Sequence, residues 1–199
     1  MVPPEWMRAL ARQTLQLVDE GISGSVVECG AWRGGIGVLL GRILASLDDE
    51  RPIFLCDSFE GLPPPEPIDG SAALEWSRNQ DHPYFHDNCR ASLDELVQLV
   101  KALRLDRRIT LVKGWFNESL PRAKATFGPI ALLRIDADWH SSVTCCLEEL
   151  YDAVVPSGYV IFDDYDTWDG CATAVHEFLG RRSLSHRILH DGCAYFRKA

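Results

Sequence analysis

The stretch Val26-Val27-Glu28-Cys29-Gly30-Ala31-Trp32-Arg33-Gly34-Gly35 decides the fold of this chain of 199 residues. A short apolar run ends in an acid, and glycines follow where a strand would turn sharply into a helix. Glycine lets a ligand approach the main chain closely. The third glycine of the dinucleotide fingerprint G-x-G-x-x-G is missing at the required spacing. The stretch therefore predicts a strand-loop-helix unit with a cofactor loop of another kind.

Alternating apolar runs and amphipathic stretches set the rest of the architecture. Near-continuous Val, Ile and Leu predicts parallel strands buried on both faces, at Ser25–Cys29, Ile53–Asp57, Ile109–Lys113, Ile130–Asp136 and Tyr159–Asp163. Apolar residues at helical spacing predict covering helices, at Pro4–Glu20, Gly34–Leu47, Leu93–Leu103, Ser142–Val155 and Gly170–Leu179. An Asp191-Gly192 turn joins a last antiparallel pair, at Arg187–His190 and Cys193–Arg197. We predict one α/β domain over residues 1–199: a mostly parallel seven-stranded sheet with a carboxy-terminal antiparallel hairpin and helices on both faces.

Composition excludes several classes of partner. The formal net charge is −9, which disfavours nucleic acid, since nucleic-acid binders concentrate Lys and Arg on one face. No apolar run reaches the ~20 residues of a membrane span, and the amino terminus lacks the layout of a signal peptide. Seven cysteines without a CxxC pair predict free thiols. We therefore expect a cytoplasmic protein without a membrane or nucleic-acid partner.

The predicted strand ends carry the candidate site, because ligands of open α/β sheets bind outside the carboxyl ends of the strands. The spacing Glu28-x-Gly30-x-x-x-Gly34 matches the form seen in enzymes that use S-adenosylmethionine. Asp57 follows about thirty residues later, where a carboxylate can accept hydrogen bonds from two ribose hydroxyls. A nicotinamide cofactor also carries adenosine, so Asp57 does not separate the two classes. The alternatives are a glycine-rich turn without a ligand and an Asp57 that only caps a turn.

Acids at the ends of the fourth and fifth strands predict a metal site. Asp136, Asp163 and Asp164 should lie at neighbouring strand ends, and adjacent strands are ~4.8 Å apart. Carboxylates so close repel one another unless a cation or protons compensate. Oxygen ligands favour a hard ion such as Mg²⁺. Asp138 falls on the same side and is the candidate base. The alternative is that Asp138 and Asp164 cap the helices that follow.

The roles of two aromatic residues near the same edge, Trp115 and His140, have alternative interpretations. Trp115 follows Gly114 at the end of the third strand, where its ring lies against an adenine or simply in the core. His140 lies near the acids, and a lone histidine there is either a helix-cap or surface residue or a catalyst. The region 61–88, rich in Pro, Asp and His, is longer than an ordinary connection and predicts a functional loop or a lid.

Several motifs together resemble the macrocin O-methyltransferase family. They are the glycine stretch, Asp57-Ser58-Phe59-Glu60-Gly61-Leu62-Pro63, Gly114-Trp115-Phe116, Leu133-Arg134-Ile135-Asp136-Ala137-Asp138 and Gly158-Tyr159-Val160-Ile161-Phe162-Asp163-Asp164-Tyr165. The resemblance implies a Rossmann-like class I methyltransferase fold and Mg²⁺-assisted methyl transfer from S-adenosylmethionine to a hydroxyl. It implies metal ligands at Asp136, Asp163 and Asp164, and a base at Asp138. The implied cofactor contacts are Glu28, Gly30, Arg33, Gly34, Asp57, Ser58, Trp115 and Asp136.

This sequence differs from the family pattern at positions that bear on the identity of the acceptor. Where the family commonly has Asp-Gly-Asp-Leu-Tyr, this chain has Asp136-Ala137-Asp138-Trp139-His140, and its amino-terminal region is shorter. We expect Trp139 and His140 to face the acceptor, and His140 is an alternative to Asp138 as the base. A metal that chelates two oxygens predicts a vicinal diol, such as a sugar of a natural product. The acceptor stays open, as does assembly into a homo-oligomer.

Two competing functions come from other classes. The first is an S-adenosylmethionine-binding protein without catalysis, which the short amino-terminal region makes plausible. Three repelling carboxylates held together argue against it, because an inactive site has no need of them. The second is a nicotinamide-dependent oxidoreductase on a similar fold, which the missing third glycine disfavours.

Overall fold

A computed structural model of the chain describes residues 2–83 and 85–199. Its strands are β1 (Ser25–Cys29), β2 (Ile53–Asp57), β3 (Ile109–Lys113), β4 (Ile130–Ile135), β5 (Val154–Phe162), β6 (Leu189–Asp191) and β7 (Cys193–Arg197). Its helices are α1 (Pro4–Asp19), α2 (Gly35–Ser46), α3 (Ser71–Arg78), α4 (His86–Cys89), α5 (Leu93–Ala102), α6 (Phe116–Phe127), α7 (His140–Leu150) and α8 (Asp169–Arg181). Two 3-10 turns, at Pro67–Asp69 and Tyr151–Ala153, complete the elements. No helix in these two ranges is long and apolar enough to cross a membrane.

The seven strands form a single sheet in the order β3-β2-β1-β4-β5-β7-β6. The first five strands are parallel, and β7 runs antiparallel to both β5 and β6. The chain builds the sheet outward from β1 to β3 and then crosses back to place β4 on the other side of β1. This reversal makes the β1/β4 boundary the topological switch point, where open α/β sheets bind their ligands.

The core lies on both faces of the sheet. Alternate residues of β1 point to opposite sides, so Val26 packs under α1, α2 and α5 while Val27 packs under α6, α7 and α8. Both side chains are fully buried, as the near-continuous apolar runs predicted. All seven cysteines are free, which agrees with the expected thiols.

Some boundaries differ from the sequence pattern. Strand β5 begins at Val154 instead of Tyr159, because Val154 pairs with Ile130 of β4 ahead of an irregularity in the register. Helix α7 accordingly ends at Leu150, and a 3-10 turn fills the space before β5. The pattern does not predict α6, whose interior holds Pro121, a residue that breaks the ladder of helical hydrogen bonds.

The region predicted as an irregular loop or lid is partly ordered. It contains a 3-10 turn, helix α3 and the short turn α4, in which all four residues have positive φ angles. The ends of this segment, residues 61–89, are joined because Leu62 N–H donates to the Asn88 carbonyl over 3.0 Å. Asn88 Nδ2 donates in return to the Leu62 carbonyl over 2.8 Å. We call residues 61–83 and 85–89 the docked segment.

Buried contacts attach the docked segment to the rest of the fold. Asp69 is only 2% exposed, and its Oδ1 accepts a hydrogen bond of 2.7 Å from the His140 N–H at the start of α7. This acid satisfies one of the unpaired N–H groups of the helix terminus and suits its positive end. Gly170 of α8 leaves the space that Asp69 occupies, since a Cβ at Gly170 would lie 2.1 Å from Asp69 Oδ1.

Candidate active site

The glycine loop after β1 lies against the loop after β4. Gly30 has φ +93°, and a Cβ at this position would lie 1.6 Å from the main-chain oxygen of Asp136. Its N–H donates to the Cys56 carbonyl of β2 over 2.8 Å. Only glycine fits between these two loops, and the lack of a side chain leaves the main chain open at the switch point.

Asp57 joins the first two loops of the site. Its Oδ2 accepts a hydrogen bond of 2.7 Å from the Trp32 N–H of the glycine loop. Its Oδ1 accepts one of 2.7 Å from the Phe59 N–H of its own loop. Burial raises the pKa of Asp57, and these main-chain donors oppose that shift by favouring the ionised form. Asp57 therefore organises the loops whether or not it also holds a ribose.

A cleft of about 400 Å³ opens where β1 to β4 end, within the usual size range of small-molecule sites. It is lined by Gly30, Asp57, Ser58, Gly61, Leu62, Pro63, Gly114, Trp115, Phe116, Asn117, Glu118, Asp136, Ala137, Ser141, Ser142 and Cys145. Five predicted cofactor residues are among them: Gly30, Asp57, Ser58, Trp115 and Asp136. The side chains that α6, α7 and the docked segment contribute to the lining were not predicted. The sequence pattern places only the first residues after each strand at the edge of the sheet.

The other three predicted cofactor residues lie outside this lining. The Arg33 guanidinium stacks on the Trp32 indole, 4.7 Å from its ring centroid. Gly34 has φ +74° and faces Leu96, where a Cβ would lie 2.3 Å from the Leu96 Cδ1. Glu28 is 2% exposed, and its carboxyl group contacts Arg134.

Arg134 is the buried partner of Glu28 and of two acids of the site. Its Nη1 lies 2.6 Å from Glu28 Oε1 and 2.9 Å from Asp136 Oδ2, and its Nη2 lies 2.5 Å from Asp163 Oδ1. Burial raises the pKa of Glu28 to about 7, although the Arg134 charge opposes the shift. Arg134 was not predicted to have a role in the site. An Arg inside an apolar strand nevertheless indicates buried acidic partners, since a buried charge needs them.

Three acids form a group at the edge of the cleft. Asp136, Asp138 and Asp164 each offer an oxygen, and the three oxygens lie within 4.8 Å of one another. Loss of water and mutual repulsion raise the pKa of Asp136 to about 6, that of Asp138 to about 8 and that of Asp164 well above its usual range. Such a group favours protons or a cation, and its oxygen-only donors suit a hard divalent ion.

The three acids of this group differ in one residue from the three predicted metal ligands. Asp136 and Asp164 belong to both. Asp138, predicted as the base, takes the third place, whereas Asp163 directs its Oδ1 to Arg134 and accepts a hydrogen bond of 3.4 Å from the Cys193 thiol. Asp163 is thus engaged by Arg134 of β4, a contact that the sequence pattern did not predict.

Trp139 and His140, which we expected to face the acceptor, make hydrogen bonds to the docked segment and to α8. Trp139 is 1% exposed, and its Nε1 donates to the Pro63 carbonyl over 2.8 Å. His140 begins α7, and its Nε2 lies 3.0 Å from Glu177 Oε2 of α8. The imidazole is therefore turned toward α8, an arrangement that fits a helix-terminus residue better than a base.

This sheet order, with a glycine loop and a cleft at the switch point, defines a Rossmann-like methyltransferase. The chain belongs to the macrocin O-methyltransferase family, whose sequence model matches residues 1–198. The 8-demethyl-8-(2,3-dimethoxy-alpha-L-rhamnosyl)-tetracenomycin-C 4'-O-methyltransferase of Streptomyces olivaceus is 34% identical over 183 residues, which cover 90% of this chain and 67% of the relative. The mycinamicin III 3''-O-methyltransferase of Micromonospora griseorubida is 30% identical over 85% of this chain and 66% of its own length.

A solved structure supports the same relationship. The O-methyltransferase NovP superposes with a TM-score of 0.84 at 25% identity, over 97% of this chain and 79% of that chain. The present chain spans about two thirds of the length of the two enzymes named above. The predicted family, fold class and S-adenosylmethionine-dependent O-methyltransferase class are confirmed. The nicotinamide-dependent alternative does not fit this family.

Proposed function

We propose that this protein methylates a hydroxyl of a sugar, or of another vicinal diol, in a natural product, with the help of a divalent cation. The observation that carries the proposal is the group of Asp136, Asp138 and Asp164 at the edge of a cofactor-sized cleft. The tetracenomycin relative named above supports the acceptor class, because its name includes a rhamnosyl group in its substrate.

The cleft fits S-adenosylmethionine, which supplies an electrophilic methyl group when it is bound. Gly30 gives the cofactor access to the main chain at the switch point, where a side chain would collide with the loop after β4. Asp57 lies in the lining at the end of β2, where a carboxylate can accept hydrogen bonds from ribose hydroxyls. Trp115 offers a flat apolar surface for the adenine ring.

The acids fit a divalent cation such as Mg²⁺. Asp136 and Asp164 would hold it, whereas Asp163, the third predicted ligand, is paired with Arg134 in this structure. A cation bound there would draw charge from the acceptor hydroxyl and make its proton easier to remove. Arg134 offsets part of the negative charge of Asp136 and Asp163, and its contacts orient these two carboxylates before a ligand arrives.

Asp138 is the base in this proposal. A cation held by Asp136 and Asp164 would favour the ionised form of Asp138, whose carboxylate could then take the proton of the acceptor hydroxyl as the oxygen forms its bond to the methyl carbon. Bound S-adenosylmethionine would supply the methyl carbon, and the electron pair of the broken carbon–sulfur bond would stay on the sulfur of the S-adenosylhomocysteine product. His140, the other candidate base, is directed at Glu177.

The test is methyl transfer to a panel of probe acceptors. The purified protein is incubated with S-adenosylmethionine and methyl α-L-rhamnopyranoside, other methyl glycosides or a catechol, with Mg²⁺ or with EDTA. Mass spectrometry follows both S-adenosylhomocysteine and the methylated probe. We expect product only with Mg²⁺ present and a large loss of turnover in Asp164→Asn. Asp166→Asn, an exposed acid two residues away, is the matched control.

Two results would contradict the proposal in different ways. Binding of S-adenosylhomocysteine without methylation of any probe would favour the non-catalytic binding protein. Equal turnover in Mg²⁺ and EDTA, with Asp164→Asn unaffected, would remove the cation while leaving methyl transfer in place.

A further inference from the structure

Asp138 sits in a strained turn that needs support. Its φ is +54°, in the left-handed region that side chains rarely adopt. The Trp139 N–H donates to the Ala137 carbonyl over 2.6 Å, which closes a three-residue turn around Asp138. Turns of this kind with positive φ at the central residue are rare and strained, and they persist where surrounding contacts hold them.

Trp168 and Asp164 supply those contacts. The Trp168 Nε1–H donates to Asp138 Oδ1 over 3.0 Å, and the Asp138 N–H donates to Asp164 Oδ2 over 3.0 Å. The Trp168 main-chain N–H donates to the Asp164 carbonyl over 2.9 Å. These three hydrogen bonds form a closed ring, so the indole, the strained turn and the acid group are fixed relative to one another.

Neighbouring rings fix the indole in turn. The Trp168 ring centroid lies 5.3 Å from that of Trp139 and 6.2 Å from that of Trp76. Trp76 belongs to α3 in the docked segment, so the indole packs between that segment and the start of α7. The Trp168 ring thus has little freedom to turn its N–H away from Asp138.

The acceptor of this N–H distinguishes Trp168 from other tryptophans of the fold. A buried indole N–H usually finds a partner, which by itself implies no function. Trp139 donates to the Pro63 carbonyl and Trp32 to the Arg90 carbonyl, both of them main-chain groups. Trp168 instead donates to a side-chain carboxyl group, that of Asp138 in the acid group.

We propose that Trp168 is a positioning residue: its indole N–H holds one oxygen of Asp138 so that the other oxygen faces the acceptor hydroxyl. This inference rests on the proposed role of Asp138 as the base. A base must stay within hydrogen-bond reach of the proton that it removes. Without the Trp168 N–H, the carboxylate is free to rotate, and fewer encounters have the reactive geometry.

The kinetic test uses Trp168→Phe, which keeps an aromatic ring and removes the N–H. Turnover is measured with the probe acceptor that the wild-type protein methylates fastest. We expect kcat to fall about tenfold, as for other residues that orient a reacting group, with unchanged KM for S-adenosylmethionine. Trp76→Phe keeps an aromatic ring beside Trp168 and leaves the hydrogen bond from Trp168 to Asp138 in place, so we expect kcat close to the wild-type value.

A double-mutant cycle separates this inference from the proposed function. If Trp168 acts through Asp138, Trp168→Phe will not slow Asp138→Ala any further. Wild-type turnover in Asp138→Ala would refute the base itself. A slow Asp138→Ala with a fast Trp168→Phe would refute only the positioning role. Equal losses in Trp168→Phe and Trp76→Phe would refute it too, because loss of packing would then explain both.

An NMR measurement needs no acceptor. The indole resonance of Trp168 is identified in a ¹H–¹⁵N spectrum by its absence in Trp168→Phe. We expect this resonance to shift in Asp138→Ala and not in Asp166→Ala. An unchanged resonance in Asp138→Ala would show that the hydrogen bond is absent and would overturn the inference.

Discussion

Gly30 is the residue on which the geometry of the cofactor loop depends most. Its φ is positive, and a Cβ added at this position would lie only 1.6 Å from the Asp136 oxygen, which leaves no room for a side chain. The same contact brings the cofactor loop and the acid group together at the switch point. A change at this single position therefore disturbs both halves of the proposed site.

We predict that Gly30→Ala lowers the free energy of unfolding by about 3 kcal/mol or more, because strain and overpacking add. It should also abolish binding of S-adenosylhomocysteine in titration calorimetry. The control is Gly180→Ala in α8, where the added Cβ meets no atom within 4 Å. That change should stabilise the fold by about 0.5–1 kcal/mol. Normal ligand binding by Gly30→Ala would contradict the described loop contact.

Glu28 makes the stability of the fold depend on pH. Its pKa rises from 4.5 to about 7 because the side chain is buried. Between these values the folded chain keeps a proton that the unfolded chain releases, so stability falls as pH rises through this window. The full effect is on the order of 3 kcal/mol. The raised pKa values of Asp136 and Asp138 act in the same direction.

We predict that the free energy of unfolding in urea, with EDTA present, declines between about pH 5 and pH 7, the window set by the raised pKa of Glu28. Glu28→Gln should flatten this decline, because the amide does not titrate and its oxygen can still face Arg134. A stability that rises with pH over this range, or an unchanged slope in Glu28→Gln, would contradict the assignment.

Among the elements, the docked segment is ordered by long-range contacts that a sequence pattern does not predict. Its Pro, Asp and His content correctly marked it as unusual, but the contacts that order it come from distant parts of the chain. Asp69 reaches the N-terminus of α7, and Trp76 packs against Trp139 and Trp168. Local composition carries no information about such partners.

We predict that Asp69→Ala loosens the docked segment. It removes two hydrogen bonds to a buried carboxylate, from the His140 and Glu66 N–H groups, at a cost of about 2–3 kcal/mol. Hydrogen exchange followed by mass spectrometry should show faster exchange in the docked segment of Asp69→Ala than in that of the wild-type protein, with exchange in the sheet unchanged. Glu75→Ala, an exposed position of α3, is the control and should leave exchange unchanged. Equal exchange in both variants would contradict the anchoring role.

At the scale of the whole molecule, the sequence predicted the parallel core well because that signal is local. Buried strands are near-continuous apolar runs, and β1, β2 and β3 match their predicted bounds. The acids and glycines at the strand ends were predicted to form the site, because the carboxyl ends of parallel strands meet at one edge of the sheet. The Arg134 network and the bond between Trp168 and Asp138 were not predicted, because each depends on side-chain directions between separate elements.

The central claim is that the cleft at the switch point binds a methyl-donor cofactor, and thermal unfolding tests it most directly. A ligand at about 100 times its Kd stabilises the folded state by about 2.7 kcal/mol. For a chain of this length that corresponds to a rise in Tm of about 5–10 °C. We predict this rise with saturating S-adenosylhomocysteine and none with NAD. No rise with S-adenosylhomocysteine, or an equal rise with NAD, would contradict the claim.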